Sequence, residues 1–419
     1  MKRQLTVWWD GRLVGELFQD EHGALGYQYA ADWLNDPSTR ALSASLPKRV
    51  EPFSRNECRP FFGGLLPEER QRDGAAKALG VSPVNDFALL DRLGGDVAGA
   101  LQLLAPDKTP VTSTANKRPA PLSEAALIQM LNRLETTPLL AGERGLRLSL
   151  AGAQSKVPVV VVDGAIALPA PDQPTTHILK PSIARFIAST ENEAFAMRLA
   201  AAVGLEVAQV EPRAVRGRTF LMVERYDRIT AVDGETRRIH HEDFCQALAI
   251  PPETKYASEG GPGFKESFAL LRRESARPAV DVLKLLDAAI FNLIVGNADA
   301  HGKNFSILYA ETGARLAPLY DLLSTVAYAE LSPKLAMKIG RRATLGEIRA
   351  SHWAEFAANA AIGLPLVRRR IAELSNSVLD AVTPVASELA MPGLDHVALS
   401  KLAEVTADRA RRCAVTITR

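Results

Sequence analysis

Between Ala279 and Val295 the chain is apolar on nearly every face, with Val280, Val282, Leu283, Leu285, Leu286, Ala288, Ala289, Ile290, Phe291, Leu293 and Ile294 in one run. A helix that is hydrophobic all round has no face to give to water, so it must lie inside a large core. The run is too short to span a membrane, and no other apolar stretch reaches that length. Apolar residues make up 47% of the 419 positions, enough to surround such a helix. The length predicts two to three domains.

The run leads directly into Asn297-Ala298-Asp299-Ala300-His301-Gly302-Lys303-Asn304, and Tyr320-Asp321 follows, with Asp321 seventeen positions after Asn304. Asp299, Asn304 and Asp321 stand in the order that phosphoryl transfer from ATP requires. One carboxylate accepts the proton of an attacking hydroxyl, and an amide oxygen and a second carboxylate hold Mg²⁺ against the phosphates. A buried helix ending just before Asp299 supplies the rigid base that positioning needs. An Asp and an Asn five apart also occur in ordinary polar turns, so the upstream segments matter.

Upstream, Leu5–Trp9 and Leu13–Leu17 flank Asp10-Gly11 and predict a hairpin. Phe61–Pro67 and a helical run Asp86–Leu93 complete a small mixed domain ending near Ala105, and Gly94–Ala100 reads as a close-packed turn. Pro106, Pro110, Pro119 and Pro121, with Thr, Ser and Lys between them, form a linker composition, and a helix is predicted from near Ser123. Lys156–Val162, turn Asp163-Gly164 and Ala165–Leu168 form a second hairpin, so Ala151-Gly152-Ala153 lies where small side chains let backbone N–H groups meet an anion. It is not a Walker A loop. Lys180 ends the short strand Thr176–Pro181, where a kinase-like fold places its phosphate-contacting lysine; a surface lysine is the plain alternative. Thr190 to Glu193 reads equally as a helix capping box and as the source of a lysine-pairing glutamate. Two strands, Val207–Val215 and Arg218–Val223, end at Glu224-Arg225-Tyr226, the place of an adenine-binding hinge. Lys255-Tyr256 and Gly260–Gly263 predict a mobile loop.

Net charge is +2, from 50 basic and 48 acidic residues, which argues against a chain that coats DNA. Arg341-Arg342, Arg368–Arg370 and Arg409–Arg412 are local basic clusters, most simply solvated faces. Cys58, Cys245 and Cys413 are far apart and imply no disulfide framework or zinc cluster. The N-terminus runs into a strand with no signal peptide, and the chain reads as soluble and cytoplasmic.

Taken in order, these segments resemble the HipA serine/threonine kinase toxins of bacterial toxin–antitoxin modules. The resemblance is carried by Asp96–Gln102, Ser149–Lys156, His177–Pro181, Val223–Arg228, His241–Leu248, Asn297–Phe305 and Leu319–Asp321, nearly the whole chain. It implies that Ala151, Gly152, Ala153, Gln154, Ser155 and Lys156 form the phosphate-binding loop, that Lys180 contacts phosphates, and that Glu224, Arg225 and Tyr226 form the hinge. It implies Asp299 as catalytic base and Asn304 and Asp321 as Mg²⁺ ligands, with His301, Lys303 and Tyr320 among the ATP-contacting positions. Ser149 matches the autophosphorylated position whose modification expels the loop, with Arg147 as a nearby cation for the phosphate. The implied cofactors are ATP and Mg²⁺. The implied partners are a HipB-like helix-turn-helix antitoxin, operator DNA through that complex, and a protein substrate, with an aminoacyl-tRNA synthetase the expected target; no membrane is involved. No Asp-Phe-Gly triplet is present, since Tyr320 precedes the metal aspartate.

The expected fold class is α+β: an N-terminal domain over 1–105, a linker and lead-in helix over 106–145, a kinase-like β-rich small lobe over 146–226, and an all-α large lobe over 227–419. Two rival functions are a small-molecule phosphotransferase with the same Asp–Asn–Asp logic and a silent nucleotide-binding corepressor. The N-terminal domain and Ser149 disfavour the first, and the intact triad disfavours the second.

Overall fold

The computed structural model describes residues 3–111, 117–143, 145–232 and 234–418; positions 112–116 of the proline-rich linker lie outside the described residues. The chain forms two compact units. The first gathers Met1–Pro181, Glu224–Glu253 and Leu308–Glu311, and the second Ser182–Val223, Thr254–Ile307 and Thr312–Arg419. Among the described residues no helix is long and apolar enough to cross a membrane.

The first unit begins with β1 (Arg3–Trp9), β2 (Arg12–Gln19) and β3 (Leu25–Tyr29), and the Asp10-Gly11 hairpin forms as expected with both residues at positive φ. β4 (Leu101–Leu104) pairs antiparallel with β1 on its other edge, giving the order β3-β2-β1-β4. Alternation along β1 sends Leu5 and Val7 into a core with Tyr27, Phe61, Phe62 and Phe87. The helices Arg55–Gly64 and Asp86–Leu93 supply the last three, the second helix at the bounds expected. Ser123 caps the helix Glu124–Leu134 by accepting from Ala126 N. β5 (Val157–Val162) pairs antiparallel with both β6 (Ala165–Ala167) and β7 (His177–Pro181).

The segment after Glu224 joins this unit because its polar side chains are completed there. His240, fully buried, meets the Leu42 carbonyl through Nε2 at 2.8 Å and lies tilted against Trp9 with ring centroids 4.3 Å apart. Gln246 donates to the Phe61 carbonyl at 2.9 Å. The Glu242 carboxylate accepts from Ser43 Oγ, Ala44 N and Tyr309 Oη. Burial pushes the Glu242 carboxyl up to about 7, against the lowering effect of its donors. A carboxyl raised on folding binds its proton more tightly in the native state. Its stabilisation is therefore complete below about pH 4 and is lost as pH rises toward 7. The expected result is that Glu242→Gln removes up to about 3 kcal/mol of that pH dependence. Urea titrations of wild type and variant at pH 5 and pH 8 measure the difference; parallel pH trends would remove Glu242 as its source.

The second unit is mainly helical but not wholly so. It carries β8 (Val210–Val215) paired with β9 (Arg218–Glu224), and a further hairpin, Lys334–Ile339 with Arg342–Thr344. The apolar run forms the helix Pro278–Val295. Its first turn departs from the expectation of all-round burial: Val280 is 44% exposed, and unbroken burial starts at Leu285. Asp281 is the exception in that turn, buried and accepting from Ser275 Oγ at 2.5 Å and Leu316 N at 3.0 Å. Around the helix stand Phe264–Glu274, Leu364–Glu388 and His396–Thr418, while Phe264, Phe268, Trp353 and Phe356 form an edge-on aromatic cluster nearby.

Candidate active site

In the second unit, the helix Pro278–Val295 ends at Gly296, whose φ of +79° is a left-handed cap. A side chain at Gly296 would also meet Val326 Cγ2 at 2.5 Å. The buried carbonyls of the last turn are met by a cation. Arg409, from the helix His396–Thr418, donates to Ile294 O at 3.1 Å and Leu293 O at 2.5 Å. This arginine belongs to a cluster read as a solvated face; it turns inward because helix C-termini leave carbonyls unsatisfied and favour positive charge. Arg370 likewise turns in, onto Asp287 at 2.8 Å. Arg409→Ala is expected to cost about 1–2 kcal/mol, and Arg409→Lys about half of that. Chemical denaturation measures both; an unchanged midpoint would make the contact incidental.

Beyond Gly296 the turn is built from amides. Asn297 is buried, donates to Asn292 Oδ1 at 2.8 Å, and its Oδ1 accepts from Asp299 N at 3.0 Å. Ala298 N donates to Thr325 Oγ1 at 2.9 Å, and that hydroxyl donates to Gly296 O at 2.9 Å. Asn192, from the helix Ser189–Ala202, holds the neighbouring Ser324 through both backbone groups, at 2.7 and 2.9 Å. The backbone of Asp299 is thus fixed before its carboxylate does anything. Asn297, Thr325 and Asn192 were not singled out in the sequence; Asn297, two positions before Asp299, is the one that local spacing could have found.

Asn304 closes the next turn, with its Oδ1 accepting from His301 N at 3.0 Å. An amide oxygen carries two lone pairs, so this cap leaves capacity for a cation. Tyr320 donates to Lys303 O at 2.7 Å and is reached by Ser306 Oγ at 2.8 Å. Just before it, an isolated parallel bridge joins Val207 and Leu319. Asp321 then has φ +54°, a conformation that costs a non-glycine residue free energy and concentrates at functional sites. His301 and Lys303 are buried. Among the described residues no group of three or more His, Cys, Asp or Glu could hold a metal unaided. A Mg²⁺ ion held by one carboxylate, one amide and phosphate oxygens needs no such group.

In the first unit, the Ala151–Lys156 loop is held at several points. Gly152 forms a parallel bridge with Pro67, Ser155 donates to Leu134 O at 2.8 Å, and Lys156 Nζ donates back to Ala151 O at 2.7 Å. Gly152 has φ +111°, and a Cβ there would come within 2.6 Å of Lys156 Nζ. The positive φ is what requires glycine here, and the Lys156 ammonium folds over the backbone of the loop. Ser149 is 0% exposed; its N–H donates to Asp96 O at 3.0 Å and its hydroxyl to Leu65 O at 2.7 Å. Arg147 is tied to Asp91 O and Leu103 O, both at 2.9 Å. Lys180 is 5% exposed, so it is no surface lysine.

One expectation changes here. Thr190 does not cap its helix: the helix starts at Ser189, Thr190 lies within it, and its buried Oγ1 finds no hydrogen-bond partner. That removes the capping-box reading of Glu193, which is buried. Arg225 is 3% exposed, and its guanidinium pairs with Asp227 at 2.8 Å and Asp96 at 3.3 Å, while its N–H donates to Thr176 O at 3.0 Å. Its side chain therefore holds the unit together and is not available to a nucleotide. Glu224 is exposed, and Tyr226 Oη lies 3.1 Å from His241 Nδ1.

Residues 5–104 match the family model described as HipA N-terminal domain, and residues 148–384 match the HipA-like C-terminal domain. The chain is 64% identical to "Putative kinase Y4mE" of Sinorhizobium fredii, covering 99% of both proteins. It is 31% identical to the serine/threonine-protein kinase toxin HipA of Shewanella oneidensis, over 96% of this chain and 93% of that one. Among solved structures, the complex of HipA, HipB and operator DNA from Shewanella oneidensis contains a chain similar to this one with a TM-score of 0.86, at 27% identity and 99% coverage of both.

Proposed function

This chain belongs to the HipA family, and from that premise we propose that it is a toxin-type serine/threonine kinase that transfers the γ-phosphate of ATP to a protein hydroxyl. The observation that carries the reading is the Asp299 turn: a base fixed through its backbone by Asn297, at the end of a buried helix, with Asp321 held at φ +54° after it. Asp299 takes the proton of the acceptor hydroxyl. Lys180 and the Ala151–Lys156 loop meet the phosphates, Glu224 to Tyr226 offer backbone groups to the adenine edge, and His301, Lys303 and Tyr320 complete the nucleotide contacts. Asn304 and Asp321 would hold Mg²⁺, which when bound offsets the negative charge of the phosphates. The partners in this reading are a HipB-like antitoxin, operator DNA through it, and an aminoacyl-tRNA synthetase as the target.

Self-inactivation belongs to the same proposal. A phosphate adds about −1.5 to −2 charges and three acceptor oxygens. The buried site of Ser149, closed by Leu65 and Asp96, has no room for it. Phosphorylated Ser149 would have to leave, taking the loop with it, an order-to-disorder switch. Arg147 is already tied to two carbonyls, so expulsion by bulk and charge is the simpler cause.

The test is incubation with labelled ATP, Mg²⁺ and cell extract, followed by separation of protein from small molecules and by mapping of the protein itself. The expected outcome is label in protein and on Ser149, both absent from Asp299→Ala. Label in small molecules alone would favour the small-molecule phosphotransferase, and no label at all the silent corepressor. An active preparation with unmodified Ser149 would remove self-inactivation.

A further inference from the structure

The carboxylate assigned as the base already receives a hydroxyl. Tyr256 Oη donates to Asp299 Oδ1 at 3.0 Å. The ring stands edge-on to His301, with centroids 5.5 Å apart and an interplanar angle of 81°. The tyrosine is fixed at the foot of a tight loop, where Glu259 N and Gly261 N both donate to its carbonyl, at 2.9 and 2.8 Å. The loop can be this tight because Gly261 has no Cβ, which would otherwise lie 2.4 Å from Thr254 O. Asn297 holds the other side of Asp299, through its backbone N–H. All these residues lie in the second unit.

A serine or threonine about to be phosphorylated must present its O–H to the base at hydrogen-bond distance. The Tyr256 phenol occupies that relation to Asp299. We propose that Tyr256 is an acceptor-side positioning residue that holds the hydroxyl place on Asp299 and yields it to a hydroxyl delivered by a protein segment. The inference rests on the reading of Asp299 as base. A hydrogen bond to a carboxylate is charge-assisted, so a competitor must replace it and add contacts of its own. A protein segment brings such contacts, and a lone water does not. Gly260, Gly261 and Gly263 give the loop positions that absorb the dihedral change of opening. The consequence is specificity: ATP is protected from hydrolysis until a protein acceptor arrives.

Two measurements on the full-length protein test this. The first is NMR of protein labelled at the tyrosine ring carbon that bears the hydroxyl. The chain has seven tyrosines, and the Tyr256 signal is the one lost in Tyr256→Phe. It is expected to move in Asp299→Asn, because the acceptor loses its charge; an unmoved signal overturns the contact. The second is ATP hydrolysis with Mg²⁺ and no protein acceptor. Here water oxygen bonds to the γ-phosphorus, the bond to the β–γ bridging oxygen breaks to leave ADP and phosphate, and Asp299 takes the water proton. Tyr256→Phe keeps the ring against His301 and removes the hydroxyl. It is expected to raise the hydrolysis kcat by about tenfold with KM for ATP unchanged. Hydrolysis equal to or slower than wild type overturns the proposal. The failures separate cleanly: Asp299→Asn retaining hydrolysis and protein transfer would sink the base assignment, whereas a dead Asp299→Asn beside an unchanged Tyr256→Phe would sink this inference alone.

Discussion

Asp299→Ala is expected to lower phosphoryl transfer by about 10²–10⁴-fold while ATP binding stays near that of wild type. The carboxylate faces the acceptor hydroxyl in this reading, so its loss removes the proton acceptor and leaves the phosphate contacts in place. The turn should survive the change, since Asn297 holds the backbone N–H of residue 299 and Thr325 holds that of Ala298. Asp321 gives the contrast. Its φ of +54° suits asparagine far better than alanine, so Asp321→Asn removes the charge with little added strain. That variant is expected to weaken nucleotide binding in the presence of Mg²⁺ and to change it little without the ion. Single-turnover transfer and nucleotide titrations with and without Mg²⁺ decide both. Wild-type transfer by Asp299→Ala would falsify the assignment of the base.

The second large effect lies in a buried ion-pair hub of the first unit. Asp96 accepts from Arg228 at 2.9 Å, Arg238 at 3.0 Å and Arg225 at 3.3 Å, and from Thr175 Oγ1 at 2.6 Å. Asp227 pairs with Arg225 at 2.8 Å and Arg228 at 2.9 Å and accepts from Gly99 N at 2.7 Å. Burial alone would raise the Asp96 carboxyl, but Arg228, Arg238 and Arg225 hold it well below the ordinary range. Burial, with Arg225 beside it, draws Arg228 down to about 10. Asp96→Ala strands buried guanidinium charge, so it is expected to cost about 3–5 kcal/mol. A carboxyl lowered on folding stabilises fully above its unfolded value and loses that contribution as pH falls. The wild type should therefore lose stability below about pH 4, and Asp96→Ala should lose less over the same interval. Urea denaturation from pH 3 to pH 7 measures it. The main-chain carbonyl of residue 96 still accepts from Ser149 N in the variant, so any loosening of the loop comes through the destabilised hub, seen as faster amide exchange at Leu148 to Gly152. A midpoint within error of wild type would show that solvent or relaxation satisfies the arginines.

The hub also explains where sequence reading stopped. Arg225 was read for the backbone it brings to a hinge, and position along the chain says nothing of a side-chain partner such as Asp96, 129 residues away. The same holds for the buried polar residues that follow. His240, Glu242 and Gln246 have partners in Leu42, Ser43 and Phe61, which lie 198, 199 and 185 positions earlier in the chain. A lone buried polar residue has no periodic signature.

What the sequence determined by itself was local. The Asp10-Gly11 and Asp163-Gly164 hairpins, the helices Asp86–Leu93 and Pro278–Val295, and the order Asp299, Asn304, Asp321 are written in neighbouring residues, through turn chemistry, hydrophobic period and motif spacing. Tertiary structure alone decided which polar groups are completed by distant parts of the chain. It turned Arg409 onto the end of the buried helix, closed Ser149 behind Leu65 and Asp96, and set the Tyr256 hydroxyl on Asp299. The physical reason is that a buried donor or acceptor must find a partner wherever the fold brings one, and that partner is chosen by three-dimensional proximity.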